Sequence, residues 1–199
     1  MNSEYYDQLS VDVHADCVEA GWWDDPDRCL YTCIQLVSTE ISEATEGARK
    51  GGLVDDHLPH RSMEEVEYAD GVIRLCDLAG SLNLEFNSDL TGDSWCNPAN
   101  PIGKQQLGIN RALIHFANAL YDWEHHKDKN AVFKWHATRN EVNWEILCST
   151  YSNTINSFER VASNRGMDLH GAIAEKREYN RTRKDHTRKA RQQPGGKEW

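Results

Sequence analysis

The sequence lacks any long hydrophobic run. No apolar stretch approaches the ~18 residues that a transmembrane helix requires. The first ten residues, MNSEYYDQLS, contain neither the basic segment nor the apolar segment of a secretory leader. We therefore expect a cytoplasmic protein without a membrane anchor. With 199 residues, of which 39% are hydrophobic and 27% charged, the chain is long enough to form one domain around its own core.

Cysteine and histidine patterns typical of metal-binding motifs are also missing. The six cysteines include no Cys-x-x-Cys pair, and the nine histidines are scattered along the chain. Because no secretory leader is present, we expect the cysteines to be reduced thiols. The spacing argues against a structural zinc site, and no histidine is assigned as a metal ligand.

Positive charge is scarce except at one end of the chain. The formal net charge of −10 at pH 7 argues against general binding to nucleic acid. Residues 171–199, however, contain nine Lys and Arg against four Asp and Glu. An acidic body with a basic C-terminal arm suits a ligand that combines a metal ion with phosphate, since each end then meets a partner of opposite charge.

No segment shows the strict alternation of a β-strand, and helical periodicity dominates instead. The fold class is therefore predicted to be all-α, a single domain built as a bundle of four to five helices. Asp27 is the expected N-cap of the first helix, and a capping box of Ser62 and Glu65 predicts the start of the second. The predicted helices cover residues 27–50, 62–82, 103–123 and 140–162, with a fifth beginning near residue 168.

Both ends of the chain are expected to lie outside this bundle. Residues 1–20 show no helical pattern that we recognise, and we expect an irregular, flexible N-terminal segment. The basic arm at residues 184–199 is predicted to be flexible as well, although its Gly-Gly-Lys sequence could fold over a phosphate.

Two pairs of carboxylates lie on successive predicted helices. Glu40 and Glu43 belong to the first helix and Glu67 and Asp70 to the second, so each pair shares one helix face. The second helix is apolar on nearly every other side, which predicts that it is buried and that its carboxylates need a partner. Antiparallel packing would bring together four oxygen ligands of the kind that Mg²⁺ or Mn²⁺ prefers. The alternative is a solvated polar seam between the helices.

Two further features indicate a ligand site. One face of the last predicted helix begins apolar and continues with Lys176, Asn180 and Arg183, so we expect it to run from the core into the mouth of a cleft. Trp22 and Trp23 follow a glycine and precede two aspartates. They are candidates for stacking on a nucleobase, with burial in the core as the alternative.

The carboxylate pattern resembles a known signature. Glu40-x-x-Glu43, a gap of 23 residues and Glu67-x-x-Asp70 are similar to the motif of the MazG-like, all-α nucleoside triphosphate pyrophosphohydrolases. The segments GWW, SEISEATEGARKGG, DDHLPHRSMEEVEYADGVIRLCDLAG and AIAEKREYNRTRKDH resemble phage and bacterial members, over residues 20–85 and 169–197. Thr39 departs from the pattern, because many relatives have another glutamate directly before the first metal-binding one.

The resemblance implies a cytosolic enzyme that uses Mg²⁺ to cleave (deoxy)nucleoside triphosphates to monophosphate and pyrophosphate. It also implies a homodimer or homotetramer with sites near the subunit interface. The four carboxylates would hold the metal ion, and Glu40 or Glu43 would accept a proton from the attacking water. Lys176, Asn180 and Arg183 would bind the outer phosphates.

A different class of function remains open at this point. The chain could be a non-catalytic helical module that senses nucleotides or metal ions and contacts nucleic acid through its basic arm.

Overall fold

The computed structural model describes residues 3–125 and 134–193, and these residues confirm the all-α fold. They form seven α-helices and two short 3₁₀ helices, and their one β-type pairing is an isolated bridge. None of these helices is both long and apolar enough to cross a membrane. The α-helices are α1 (Ser3–Glu19), α2 (Leu30–Arg49), α3 (Met63–Leu82), α4 (Ile102–His125), α5 (Lys134–Asn164), α6 (Leu169–Thr182) and α7 (Arg188–Arg191).

Helix α3 forms the centre of the bundle. It packs against α1, α2, α5 and α6, while α4 packs against α2 and α5. As the sequence predicts, the amide N–H of Glu65 donates to the Ser62 side chain, at 3.2 Å. The carboxylate of Glu65 accepts instead from the amide N–H of Asp168, at 2.7 Å. Half of the predicted capping box is thus used to join the first turn of α3 to the N-cap of α6.

Helices α2 and α3 run antiparallel with closely spaced backbones. Near the end of α2, a Cβ atom on Gly47 would lie 3.0 Å from the amide nitrogen of Glu64 at the start of α3. Further back along α2, Glu40 meets Arg74, which lies in the second half of α3. The polar strip of α3 therefore faces the polar edge of α2.

The five predicted helices correspond to α2–α6, with ends that differ by a few residues. The prediction that Asp27 caps α2 is wrong, because the N-cap is Cys29. The amide N–H of Asp27 donates to the carboxylate of Asp25, at 2.9 Å, so Asp27 belongs to a turn that precedes the helix.

The N-terminal segment is a helix, and the prediction that it is irregular is wrong. Tyr6, Leu9 and Val13 of α1 are buried at helical spacing against the core. Helix α1 lies directly on α3, since a Cβ atom on Gly80 would lie 2.4 Å from the carbonyl oxygen of Ser10. The apolar face of α1 is narrow and interrupted by polar residues. Its helical state therefore depends on packing against a glycine that is distant in the sequence, which a local pattern does not reveal.

The described part of the basic arm, residues 184–193, forms short helices, and its flexibility stays a prediction. A 3₁₀ helix (Lys184–His186) and α7 lie against the end of α1. Arg188 donates to the carbonyl of Val18 at 3.1 Å and pairs with Asp24 at 2.8 Å, and Arg191 donates to the carbonyl of Gly21. The arm thus donates to one carbonyl in the last turn of α1 and to one in the loop that follows. The Gly-Gly-Lys sequence lies outside the described residues.

Truncation of Leu9 tests whether α1 is part of the core. Leu9 is 5% exposed, and Val11 on the same helix is 61% exposed. We expect Leu9→Ala to lower the free energy of unfolding by about 2–5 kcal/mol, because it removes buried methyl groups and leaves a cavity. Val11→Ala serves as the control and should change it by less than about 0.5 kcal/mol. Urea unfolding followed by circular dichroism measures both, and equal effects would show that α1 does not pack on the core.

Candidate metal centre

Three of the four predicted carboxylates come together between α2 and α3. Glu40, Glu67 and Asp70 each offer one oxygen, and these oxygens all lie within 4.8 Å of one another. Glu40 and Glu67 are buried, at 5% and 7% exposure, and Asp70 is half-buried. The antiparallel packing of the two helices creates this cluster, as the sequence predicts. We refer to Glu40, Glu67 and Asp70 as the carboxylate cluster.

A glycine next to the cluster allows the helices to approach. A Cβ atom on Gly71 would lie 2.8 Å from the ring of Phe158 in α5 and 3.7 Å from the Cβ of Glu40. The absence of a side chain at Gly71 therefore allows Phe158 of α5 to pack directly against α3 at the level of Glu40. The adjacent Asp70 is held at the edge of this contact, where it reaches both the cluster and the solvent-accessible side.

The two buried glutamates share a proton. Burial raises the pKa of Glu40, although the positive charge of Arg74 opposes this effect. Burial, a hydrogen bond with Glu40 and the negative charge of Asp70 together raise the pKa of Glu67 to about 9. At neutral pH the pair therefore keeps one proton, and the two glutamates titrate together. A divalent cation bound at the cluster would take the place of this proton.

Two cations and one amide also contact the cluster. The Nε of Arg74 donates to Glu40 at 2.7 Å, and the Nζ of Lys176 lies 3.0 Å from Asp70. Burial acts to lower the pKa of Lys176, but the nearby carboxylates, Asp70 above all, outweigh it and raise this pKa. The Nδ2 of Asn180 lies 3.4 Å from Asp70, while its own buried Oδ1 has no partner among the described residues. Asn180 thus lies in the wall of a cleft, as the sequence predicts, whereas Lys176 is 3% exposed and lies against Asp70 outside that wall, not at the mouth of the cleft.

The fourth predicted ligand, Glu43, lies outside the cluster. It is exposed, one turn along α2 from Glu40. Its charge still contributes to the raised pKa of Glu40, after burial and the other neighbouring groups. Glu43 is therefore close enough to act on the cluster electrostatically, although its oxygens are not part of it.

A cleft of about 910 Å³ opens beside the cluster. Its walls come from the end of α1, from α3 and α6 and from the basic arm, and Asp70 and Asn180 belong to them. Arg183 also lines the cleft, as predicted, and its guanidinium pairs with Asp185 at 2.7 Å. The walls contain six arginines and four carboxylates. The arginines are Arg28, Arg74, Arg177, Arg181, Arg183 and Arg188, and the carboxylates are Asp16, Glu19, Asp70 and Asp77.

Most of these arginines have no role in the sequence prediction. Arg74 had a local signal, since it lies in the polar strip of α3. Arg177 and Arg181 pair with Asp16 of α1, at 2.8 and 3.0 Å. Because α1 was not predicted, neither its contact with α6 nor the cleft between them could be derived from local patterns.

The two tryptophans have different positions. Trp22 lines the cleft, and the guanidinium of Arg191 lies 3.8 Å from the centre of its ring. Trp23 is not among the cleft residues. Its ring packs against the core, and its indole N–H donates to Asp77 at 2.8 Å. The structure therefore places Trp23 against the core, which is the alternative that the sequence left open, and Trp22 beside the cleft.

The donor set of the cluster fits a hard divalent cation. Its three ligands are all carboxylates, without nitrogen or sulfur, which favours Mg²⁺ or Mn²⁺ over zinc. Arg74, Lys176 and the shared proton balance the negative charge of the cluster itself. Comparison with models of known protein families, with curated proteins and with solved structures finds no match for this chain.

Replacement of Glu67 by glutamine tests the shared proton. Because the pKa of Glu67 is raised in the folded state, the native protein holds this proton more tightly than the unfolded chain does. Its contribution to stability is full below about pH 4.5 and is lost as the pH rises towards about 9. In EDTA we expect wild type and Glu67→Gln to melt at similar temperatures near pH 5, and the variant to become the more stable one as the pH is raised.

The control is Glu145→Gln, an exposed glutamate on α5, which should show no pH-dependent difference from wild type. A second series with Mg²⁺ at pH 8 should raise the melting temperature of the wild type and leave that of Glu67→Gln nearly unchanged. If the difference in melting temperature between Glu67→Gln and wild type is constant from pH 5 to 9, the two glutamates do not share a proton.

Proposed function

We propose that this chain is a Mg²⁺-dependent nucleoside triphosphate pyrophosphohydrolase, which cleaves (deoxy)nucleoside triphosphates to monophosphate and pyrophosphate. One observation carries the proposal. Asp70 belongs both to the carboxylate cluster and to the wall of the arginine-lined cleft. Carboxylates that fit a divalent cation thus adjoin a cleft lined by arginines, and a metal–triphosphate complex would match this combination of charges.

The cluster would hold Mg²⁺ through Glu40, Glu67 and Asp70. When bound, Mg²⁺ neutralises phosphate oxygens and lowers the pKa of a coordinated water. Binding requires that the proton shared by Glu40 and Glu67 leave, since ligand carboxylates must be ionised.

Glu43 is the carboxylate best suited to accept the proton of the attacking water. Glu40 is engaged by Arg74 at 2.7 Å and by the proton that it shares with Glu67. Glu43 lies one turn away, exposed, and no hydrogen bond or ion pair engages its side chain within the described part of the chain. A general base must be within reach of the water and able to take up a proton, and of these glutamates Glu43 is the one left available.

The cleft arginines would bind phosphate groups. Arg183 currently pairs with Asp185, and Arg177 and Arg181 with Asp16. Arginine presents a planar fork of donors that matches phosphate oxygens as well as carboxylates. A triphosphate would therefore compete with these internal carboxylates, while Lys176 stays beneath Asp70 and fixes its position.

The alternative, a non-catalytic sensor that contacts nucleic acid through its arm, stays a prediction. In the described part of the arm, Arg183 and Arg188 pair with Asp185 and Asp24 of the same chain. Assembly into dimers or tetramers and location in the cytoplasm remain predictions.

Substitutions in the cluster test the proposal. We expect Glu40→Gln and Asp70→Asn each to reduce pyrophosphate release from a panel of nucleoside triphosphates at least about 100-fold, because each removes a metal ligand. Glu46→Gln, on the solvent side of α2, is the matched control and should retain activity. EDTA should abolish the activity and Mg²⁺ should restore it. Full activity in either cluster variant, or products that are diphosphate and orthophosphate, would overturn the proposal.

A separate variant tests the role of Glu43. We expect Glu43→Gln to lower kcat by a factor of about 10²–10⁴, the usual range for a general base, while Mg²⁺ binding stays close to that of the wild type. Calorimetric titration with Mg²⁺ measures the binding, and steady-state kinetics measures kcat. Parallel loss of Mg²⁺ binding and kcat would instead identify Glu43 as a metal ligand.

A further inference from the structure

A second buried carboxylate lines the cleft away from the cluster. Asp77 lies on the same strip of α3 as Asp70, seven residues further along, and is 7% exposed. Seven residues of α-helix correspond to a rise of about 10.5 Å, a distance comparable with the length of a nucleoside. A ligand whose phosphates lie at the cluster could therefore bring its base to Asp77.

Three side chains in the described part of the chain contact Asp77: an imidazole, an indole and a thiol. Its Oδ1 accepts from the Nδ1 of His14 at 2.9 Å and from the indole N–H of Trp23 at 2.8 Å. The thiol of Cys17 is also hydrogen-bonded to Asp77, and burial together with this carboxylate raises the pKa of that thiol. Within residues 3–125 and 134–193, His14 is the only basic side chain at ion-pair distance from Asp77.

These contacts leave part of the hydrogen-bonding capacity of the Asp77 carboxylate unused. An ionised carboxylate has about four acceptor positions. His14 and Trp23 occupy two, and a thiol is a weak donor that occupies at most one. At least one strong acceptor position therefore remains on a buried group whose side chain lines the cleft.

The other acidic residues of the cleft are either paired, part of the carboxylate cluster or exposed to solvent. Asp16 pairs with Arg177 and Arg181, Asp70 belongs to the cluster and Glu19 is exposed. The walls of the same cleft also include the apolar side chains of Val13, Ala20 and Ile73. A flat, largely apolar ring with N–H donors on its edge has the chemistry that this end of the cleft would recognise.

We propose that Asp77 selects nucleobases that carry an exocyclic amino group, as in cytosine, adenine and guanine, over uracil and thymine. This inference rests on the proposed function, because it identifies the base end of the same substrate. A carboxylate accepts a hydrogen bond from an amino group such as N4 of cytosine. Uracil and thymine present the oxygen O4 at the equivalent position, and two acceptors facing each other in a desolvated pocket leave both unsatisfied.

Matched pairs of substrates test the selection. CTP has an amino group at position 4 of its base, where UTP has a carbonyl. GTP has a 2-amino group, which ITP lacks. We expect the wild type to favour CTP over UTP and GTP over ITP by at least about tenfold in kcat/KM, the effect of one hydrogen bond to a charged group. Equal values for both pairs in the wild type would overturn the proposal without any variant.

The isosteric variant Asp77→Asn tests the residue itself. Its amide oxygen can still accept from His14 and Trp23, while its NH₂ group offers a donor to the base. We expect the CTP/UTP ratio of kcat/KM to fall at least about tenfold, mainly through the KM values, because the amide NH₂ faces the amino group of CTP and can donate to O4 of UTP. Asp89→Asn, an exposed aspartate in the loop after α3, is the control and should keep the wild-type ratio. An unchanged ratio in a folded Asp77→Asn protein would overturn the proposal.

Binding measurements separate this inference from the proposed function. Calorimetry with CMP and UMP, which need no hydrolysis, should show tighter binding of CMP by the wild type and a loss of that preference in Asp77→Asn. If the wild type hydrolyses no triphosphate but shows this Asp77-dependent preference, base selection stands and the enzymatic proposal fails. If hydrolysis occurs but CMP and UMP bind equally, the enzyme stands and base selection fails.

Discussion

The structure must compensate the mutual repulsion of three carboxylates that lie close together at a buried helix–helix contact. Glu40, Glu67 and Asp70 offer oxygens within 4.8 Å of one another at a helix–helix contact. Their charges are balanced by Arg74 from α3, by Lys176 from α6 and by one shared proton. Such a cluster is unfavourable unless every charge has a partner. A divalent cation would replace the proton and complete the compensation, which links the packing of the bundle to the proposed chemistry.

The central helix α3 makes this arrangement possible, because each of its sides has a separate role. Gly71 admits Phe158 of α5, and Gly80 admits the backbone of α1. The remaining strip carries Glu67, Asp70 and Asp77 along one line, from the cluster into the cleft. Burial of three sides fixes the helix, so the polar strip can be positioned without a supporting loop.

The parts of the fold that local patterns could predict are those whose causes are local. Ser62 begins α3 because a hydroxyl that caps a helix needs partners only three residues away. Glu40 and Asp70 could be predicted to meet, since successive amphipathic helices pack against each other. Helix α1 could not be predicted, because its few apolar residues are sufficient only when Gly80 provides a surface without a side chain.

The sequence by itself determined the helical class, the carboxylate pairs on two neighbouring helices and the cationic face of α6. Tertiary structure alone decided that Glu43 stays outside the cluster, that Trp23 packs against the core and that α1 and the arm complete the cleft. The physical reason is the range of the forces involved. Capping and helical periodicity act over three to four residues, whereas burial and charge compensation depend on which distant segments share a surface.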